Sequence, residues 1–173
     1  LKLYFSHPNY DNYPVVGVSW EQANAFCAWR TNFLLKGMGA HAKWIQRYRL
    51  PSEAEWEFAA KGGAKGRLNG YKFSGSNNCN AVSWNYENSA GKMHEVAQKQ
   101  PNELGLYDMC GNVWEWCSDW FGNYSSSAQT NPTGPSSGSS RVLRGGGWAN
   151  STLSWHVAYR SNLGANSRRI DIG

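Results

Sequence analysis

Apolar residues recur at helical spacing early in the chain and predict a helix from Trp20 to about Leu35. Ser19 and Gln22 form a capping box at its start, because each side chain can satisfy a main-chain N–H of the other residue. Gly37 and Gly39 are expected to end it. The apolar positions that share one face, and are expected to meet the core, are Trp20, Ala23, Phe26, Cys27, Phe33 and Leu34.

A second helix is predicted to begin after Ser52, which forms another capping box with Glu55, and to stop at Gly62-Gly63. Its core-facing residues are expected to be Trp56, Ala59 and Ala60. Acids at positions 53, 55 and 57 resemble a general-acid cluster. A helix N-terminus favours acids through its dipole, so we interpret them as structural.

The remaining segments predict short strands and long loops. Residues 14–18 read as a short strand, and residues 64–103 as short strands between turns. Residues 122–140 are rich in Ser, Gly, Asn and Pro and predict a surface loop. Residues 141–148 predict a buried strand whose glycines let another backbone approach. The polar, irregular residues 149–173 fit an adaptable binding surface or an ordinary loop.

The central stretch, residues 104–121, combines five large rings with three carboxylates. A hard cation such as calcium takes six to eight oxygen ligands, many of them main-chain carbonyls. The side chains of Asp108 and Glu115, with the carbonyls near Gly111 and Val113, could supply such a cage. Spacing alone favours the other interpretation, a buried turn whose acids cap N–H groups or pair with arginines, because no EF-hand loop is present.

Composition limits the remaining classes. The 173 residues include ten Trp, nine Tyr and nineteen Gly with only 17% charged residues, which predicts one compact, loop-rich domain. The net charge of +5 is spread along the chain, so nucleic-acid binding is not expected. No apolar run reaches transmembrane length, and no signal peptide is visible. The four cysteines form no CxxC pair, which argues against zinc and leaves a Cys110–Cys117 disulfide open.

Three blocks of sequence, at residues 49–57, 102–116 and 141–148, resemble signature blocks of the formylglycine-generating-enzyme, or sulfatase-modifying-factor, family. The resemblance runs from about Pro14 to Gly173 and implies a single domain over residues 1–173 with a C-type-lectin-like α+β fold. That fold has two helices, small antiparallel sheets and much irregular loop. The family's usual Phe-Arg after the last glycine is missing, and the chain starts without Met. Both features leave room for further residues at either end.

The family's calcium site corresponds here to the Asp108 side chain, the region of Gly111, the Val113 carbonyl and the Glu115 side chain. The resemblance therefore makes structural calcium the expected interpretation of the central stretch. The family's oxidase chemistry needs two cysteines, five residues apart, that bind copper. The matching positions are Asn150 and Trp155. Neither residue can supply the soft thiolate that Cu(I) selects, so copper and oxidase activity are not expected.

Two branches without this chemistry also resemble the chain. Variable proteins of diversity-generating retroelements place a diversified binding surface in the last block, and gliding-motility and type IX secretion lipoproteins resemble residues 7–20 and 27–31. We expect a non-catalytic bacterial protein, at the cell surface or otherwise outside the cytoplasm, that binds a protein or cell-surface ligand. The alternatives are a formylglycine-generating oxidase and a secretion-associated lipoprotein. The predicted recognition residues are Asn150, Ser151, Leu153, Ser154, Trp155, His156, Ser161, Asn162 and Asn166.

Overall fold

The computed structural model describes residues 3–38 and 46–173 and has the predicted α+β architecture. Its α-helices are α1 (Trp20–Met38), α2 (Glu53–Ala60), α3 (Gly63–Gly66) and α4 (Cys79–Val82), and its strands are β1 (Glu115–Trp120), β2 (Arg141–Arg144) and β3 (Ser161–Leu163). In these described ranges, 3-10 turns span Pro8–Tyr10, Arg67–Asn69 and Thr152–Trp155. The strands form one antiparallel sheet in the order β1-β2-β3.

Both predicted capping boxes are confirmed. At α1, Ser19 N donates to Gln22 Oε1 over 3.0 Å, and Gln22 N donates to Ser19 Oγ over 3.2 Å. At α2, the same exchange joins Ser52 and Glu55 over 2.8 and 3.2 Å. The expected end of α1 at Gly37 is wrong, because the helix continues to Met38. Gly39, also expected to end the helix, lies outside the described residues.

The predicted core face of α1 is only partly correct. Trp20 and Ala23 pack against a core cluster formed by Trp114, Trp116, Leu143 and Ile172. Phe26 and Phe33 are exposed instead, and both rings lie against the exposed Trp29. The buried position further along the helix is Thr31, whose hydroxyl accepts from Tyr48 N. Thr31 therefore lies on the buried face of α1, and the rings of Phe26 and Phe33 lie on its exposed face.

Two strand predictions are wrong. Residues 14–18 join no sheet, although Val16 is fully buried; here Gly17 N donates to the carbonyls of Arg169 and Ile172 instead of to a neighbouring strand. Residues 64–103 contain short helices and turns rather than strands among the described residues. Asn78 favours a helix start there, because its side chain accepts from Asn80 N and caps α4.

The last two segments follow the prediction. Residues 122–140 form a surface loop, and β2 is buried from Val142 to Arg144. Gly146 lets another backbone approach, because a Cβ on it would lie 2.6 Å from Ser154 O. None of the helices described is long and apolar enough to cross a lipid bilayer.

Candidate metal centre and recognition segment

Two carboxylates lie close together where the central stretch enters β1. Asp108 adopts a left-handed conformation with φ of 56°, and its Oδ2 accepts from Ala97 N over 2.8 Å. Its Oδ1 is buried without a hydrogen-bond partner among the residues that the structure describes. Glu115 Oε2 accepts from the Trp56 indole over 2.6 Å. Each carboxylate therefore has one oxygen that accepts a hydrogen bond. The second oxygen of Asp108 is buried and accepts none from the described residues.

Burial disfavours the charged form of both carboxylates. Burial raises the pKa of Asp108 above its ordinary value, although the Ala97 hydrogen bond opposes the shift. Burial also raises the pKa of Glu115 to about 7, against the Trp56 hydrogen bond and with a contribution from the Asp108 charge. Neither carboxylate forms an ion pair with a Lys, Arg or His in the described part of the chain.

Two main-chain carbonyls of the same central stretch lie beside Gly145. A Cβ on Gly145 would lie 3.7 Å from Met109 O and 3.9 Å from Val113 O, so both carbonyls face the Gly145 backbone. The turn between them is locked, because Gly111 N donates to Gly145 O over 2.8 Å. Gly111 has no space for a side chain, since a Cβ there would lie 2.2 Å from Trp84 O.

This donor set fits a hard cation. An unpartnered buried carboxylate oxygen, two mutually repelling carboxylates and nearby carbonyls are what calcium coordination would satisfy. Within residues 3–38 and 46–173 no three His, Cys, Asp or Glu side chains converge as a metal cluster. A calcium ion held here would thus depend on Asp108 and Glu115 as its only charged ligands, with main-chain oxygens such as Val113 O completing the set.

The two positions that match the family's copper cysteines are built into the scaffold. Asn150 Oδ1 accepts from the Trp114 indole and from Gly147 N, each over 2.9 Å. Trp155 is 1% exposed, and its indole donates to Gly147 O over 3.3 Å. Both side chains therefore fix the backbone that follows β2.

The predicted recognition residues divide by exposure. The exposed ones are Ser151, Leu153, Asn162 and Asn166, and the half-buried ones are Asn150, His156 and Ser161. Ser154 is buried, against the expectation for a recognition residue, and Trp155, for which an exposed anchor and a buried filler were both open, is buried as well. The 3-10 turn Thr152–Trp155 directs them toward the core and leaves Leu153 66% exposed. His156 is held edge-on against the Phe73 ring.

All four cysteines are free, so the Cys110–Cys117 disulfide is not formed. Both of these thiols are buried, and burial raises the pKa of Cys110 to about 12 and that of Cys117 further. Protonated, buried thiols are poor nucleophiles and poor metal ligands. None of the four lies in the segment that follows β2.

A buried ion-pair network connects α2 to β2 and to Arg160, and no sequence pattern pairs its members. Arg160 donates two hydrogen bonds of 2.6 Å to the Glu53 carboxylate. The fully buried Arg144 bonds Glu57 and lies 3.7 Å from Glu53. The acids of α2 are thus structural, as expected. Glu53 and Glu57 pair with arginines 107 and 87 positions away, which left no local signal, whereas Glu55 pairs with Arg49 only six positions away.

Comparison with known proteins identifies the family of the chain. The family model of the sulfatase-modifying factor enzyme 1-like domain matches residues 5–173, and the chain belongs to this family. Among curated proteins it is similar to the formylglycine-generating enzyme of Streptomyces coelicolor, with 39% identity over 149 residues that cover 79% of this chain and 42% of that protein.

Two further relatives carry different names. The serine/threonine-protein kinase pkn1 of Chlamydia pneumoniae is 38% identical over 164 residues, which cover 91% of this chain and 23% of that protein. The chain thus spans less than half the length of either curated relative. Among solved structures, Treponema denticola variable protein 1 superposes with a TM-score of 0.80 at 36% identity, covering 95% of this chain and 70% of that protein.

Proposed function

We propose that the protein is a non-catalytic ligand-binding member of its family, with a recognition surface in the segment that follows β2. The observation that carries the proposal is the state of the two copper positions. Asn150 and Trp155 serve as hydrogen-bonded supports of the backbone at Gly147. Amide and indole groups cannot replace thiolate ligands of Cu(I).

The exposed residues beside these supports suit binding. Ser151 and Leu153 project from a backbone fixed at Asn150 and Trp155. Asn162 lies on β3, paired with Val142 of the central strand. A surface whose backbone is already ordered loses less entropy on binding. The likeness to Treponema denticola variable protein 1 supports diversification of this surface.

The first test addresses catalysis. The protein is incubated with a synthetic sulfatase peptide, Cu(I) and oxygen, and conversion of the peptide's cysteine to formylglycine is followed by mass spectrometry. The Streptomyces coelicolor enzyme is the positive control. We expect no conversion, because no thiol lies at either copper position. Turnover above the protein-free reaction would contradict the proposal and restore the oxidase alternative.

The second test addresses recognition. Randomising Ser151, Leu153, Asn162 and Asn166 in a displayed library should leave most variants folded, because exposed substitutions usually change stability by less than about 0.5 kcal/mol each. A matched library at Ser154, Trp155, Val142 and Leu143, all buried, should be mostly unfolded. Selection of the first library against a single purified test protein should then yield binders. Equal loss of folding in both libraries would place the segment in the core and refute the recognition surface.

A further inference from the structure

An open groove of about 1420 Å³ lies between α2 and the loop of residues 122–135. It shares no residue with the predicted recognition surface. Pockets for small molecules usually measure about 300–1,000 Å³. The size of this groove therefore suits a segment of a polymer better than a single small ligand.

One wall of the groove is apolar and exposed. Phe58 on α2, Leu68 in the turn Arg67–Asn69 and Tyr71 line it with 51%, 80% and 38% of their surfaces accessible. Single exposed apolar residues are ordinary on protein surfaces, but several along one wall mark an interaction site. This wall can bury apolar side chains of a ligand.

The opposite wall carries main-chain groups that are not paired with other main-chain groups. In residues 123–135 no main-chain N–H or C=O group is hydrogen-bonded to another main-chain group of the described residues, although Ser127 N donates to Ser125 Oγ. The loop is nevertheless anchored, because Gly134 packs against β1: a Cβ on it would lie 3.1 Å from Asp119 Cβ and from Trp120 O. Side chains on this wall are mainly hydroxyls and amides. An extended polypeptide offers the matching main-chain donors and acceptors.

The exposed charge at the groove that lacks an ion-pair partner among the described residues is the guanidinium of Arg67. The carboxylate of Asp119 also lines the groove, but it is buried and accepts from Glu53 N and Ser118 Oγ. The carboxylates of Glu53 and Glu57 are held by internal ion pairs with Arg160, Arg144 and Lys61. Arg67 lines the groove and forms no ion pair in the part of the chain that the structure describes. An arginine without a partner favours a ligand carboxylate, which its guanidinium can bind through two hydrogen bonds.

We propose that this groove binds an extended polypeptide segment that combines apolar side chains with an acidic residue. The apolar side chains pack on Phe58, Leu68 and Tyr71, the ligand main chain pairs with the loop, and its carboxylate meets Arg67. The exposed Tyr124 ring, stacked on Arg160 at 3.9 Å, supports the loop side of the groove.

The probe is a phage-displayed library of random linear dodecapeptides, panned on the whole chain. Enriched peptides are synthesised with a fluorophore, and their Kd values are measured by anisotropy. Leu68→Asp and Arg67→Glu should each weaken binding by about tenfold or more, as loss of a central contact does. The matched controls Leu3→Asp and Arg168→Glu change exposed residues outside the groove and should leave Kd within about twofold.

A second measurement tests the charge pairing. Replacing the peptide's acidic residue by its amide should weaken binding to the unmodified chain and have little further effect on Arg67→Ala, because the pair is already broken. With Arg67→Glu the amide should instead recover part of the affinity, because it removes a contact between like charges. A panning experiment without enrichment over the empty surface would refute the proposal. So would peptides that lose affinity for Leu153→Asp but not for Leu68→Asp, which would place the binding on the recognition surface instead. Groove-dependent binding to a glycan array, or a change in oligomeric state by light scattering in Leu68→Asp, would assign the groove to another occupant.

Discussion

Replacing Glu115 by Gln removes a charge from the candidate metal centre and keeps an oxygen for the Trp56 indole. In the folded protein burial raises the pKa of Glu115 from 4.5 to about 7. Below pH 4.5 both the folded and unfolded chains hold the proton, so this group does not affect stability. As pH rises toward 7 the unfolded chain releases the proton while the folded chain retains it, and the chelated protein loses stability. The loss is complete above the folded pKa and amounts to about 3 kcal/mol, at about 1.4 kcal/mol per pKa unit.

The assay is urea unfolding in the presence of a chelator at about pH 5 and about pH 8, which bracket most of the titration. Between these conditions the unmodified protein should lose about 2–3 kcal/mol more than Glu115→Gln, since the difference between the two cancels all other titrating groups. Excess calcium should then raise the stability of the unmodified protein, by about 2.7 kcal/mol at a hundredfold excess over Kd, and barely affect the variant. Glu87→Gln, at an exposed position, is the control and should follow the unmodified protein. A difference that is independent of pH, or an equal response to calcium, would refute the reasoning.

Two further predictions use matched pairs of variants and the same urea unfolding measurement. Arg160→Ala leaves the buried Glu53 without its bidentate partner and should lower the free energy of unfolding by about 3–5 kcal/mol. Arg49→Ala breaks an exposed pair and should lower it by less than about 1 kcal/mol. Similar losses in the two variants would mean that the buried network is not essential. Gly70→Ala, with φ of 64° and nothing within 4 Å, should cost about 1–2 kcal/mol for backbone strain. Gly146→Ala, with φ of 76° and a main-chain oxygen 2.6 Å from the new Cβ, should cost a further 1–3 kcal/mol or so, and equal losses would show that this close approach can relax.

The sequence predicted what depends on neighbouring residues. Both capping boxes formed because their partners are three positions apart, and α2 stopped where Gly62 supplied a left-handed conformation. The direction of the apolar stripe on α1 was not predictable in the same way. Periodicity identifies a face but not what covers it, and Phe26 is exposed because the inner face is the one that includes Thr31.

Contacts between residues that are far apart in the sequence account for most of what could not be predicted from it. Glu53 and Arg160 carry opposite charges but are separated by 107 positions, so spacing gave no reason to pair them. The residues themselves suggested Asp108 and Glu115 as ligands of the candidate metal centre, but only the resemblance favoured calcium over a buried turn. Its fit to a cation rests on the unpartnered Asp108 Oδ1 and on the carbonyls facing Gly145, and these are properties of the folded backbone.

The two substituted copper positions give the strongest link between the fold and the proposed function. A cysteine pair lost by drift would leave small or mismatched side chains and a cavity in their place. Here Asn150 satisfies both the Trp114 indole and Gly147 N, while Trp155 fills the interior and bonds Gly147 O. Both replacements hydrogen-bond to Gly147, Asn150 to its N–H and Trp155 to its carbonyl, and the exposed Leu153 lies between them in the chain. A catalytic centre would need a reactive group at that point; a binding surface needs a rigid one, and rigidity is what these two residues supply.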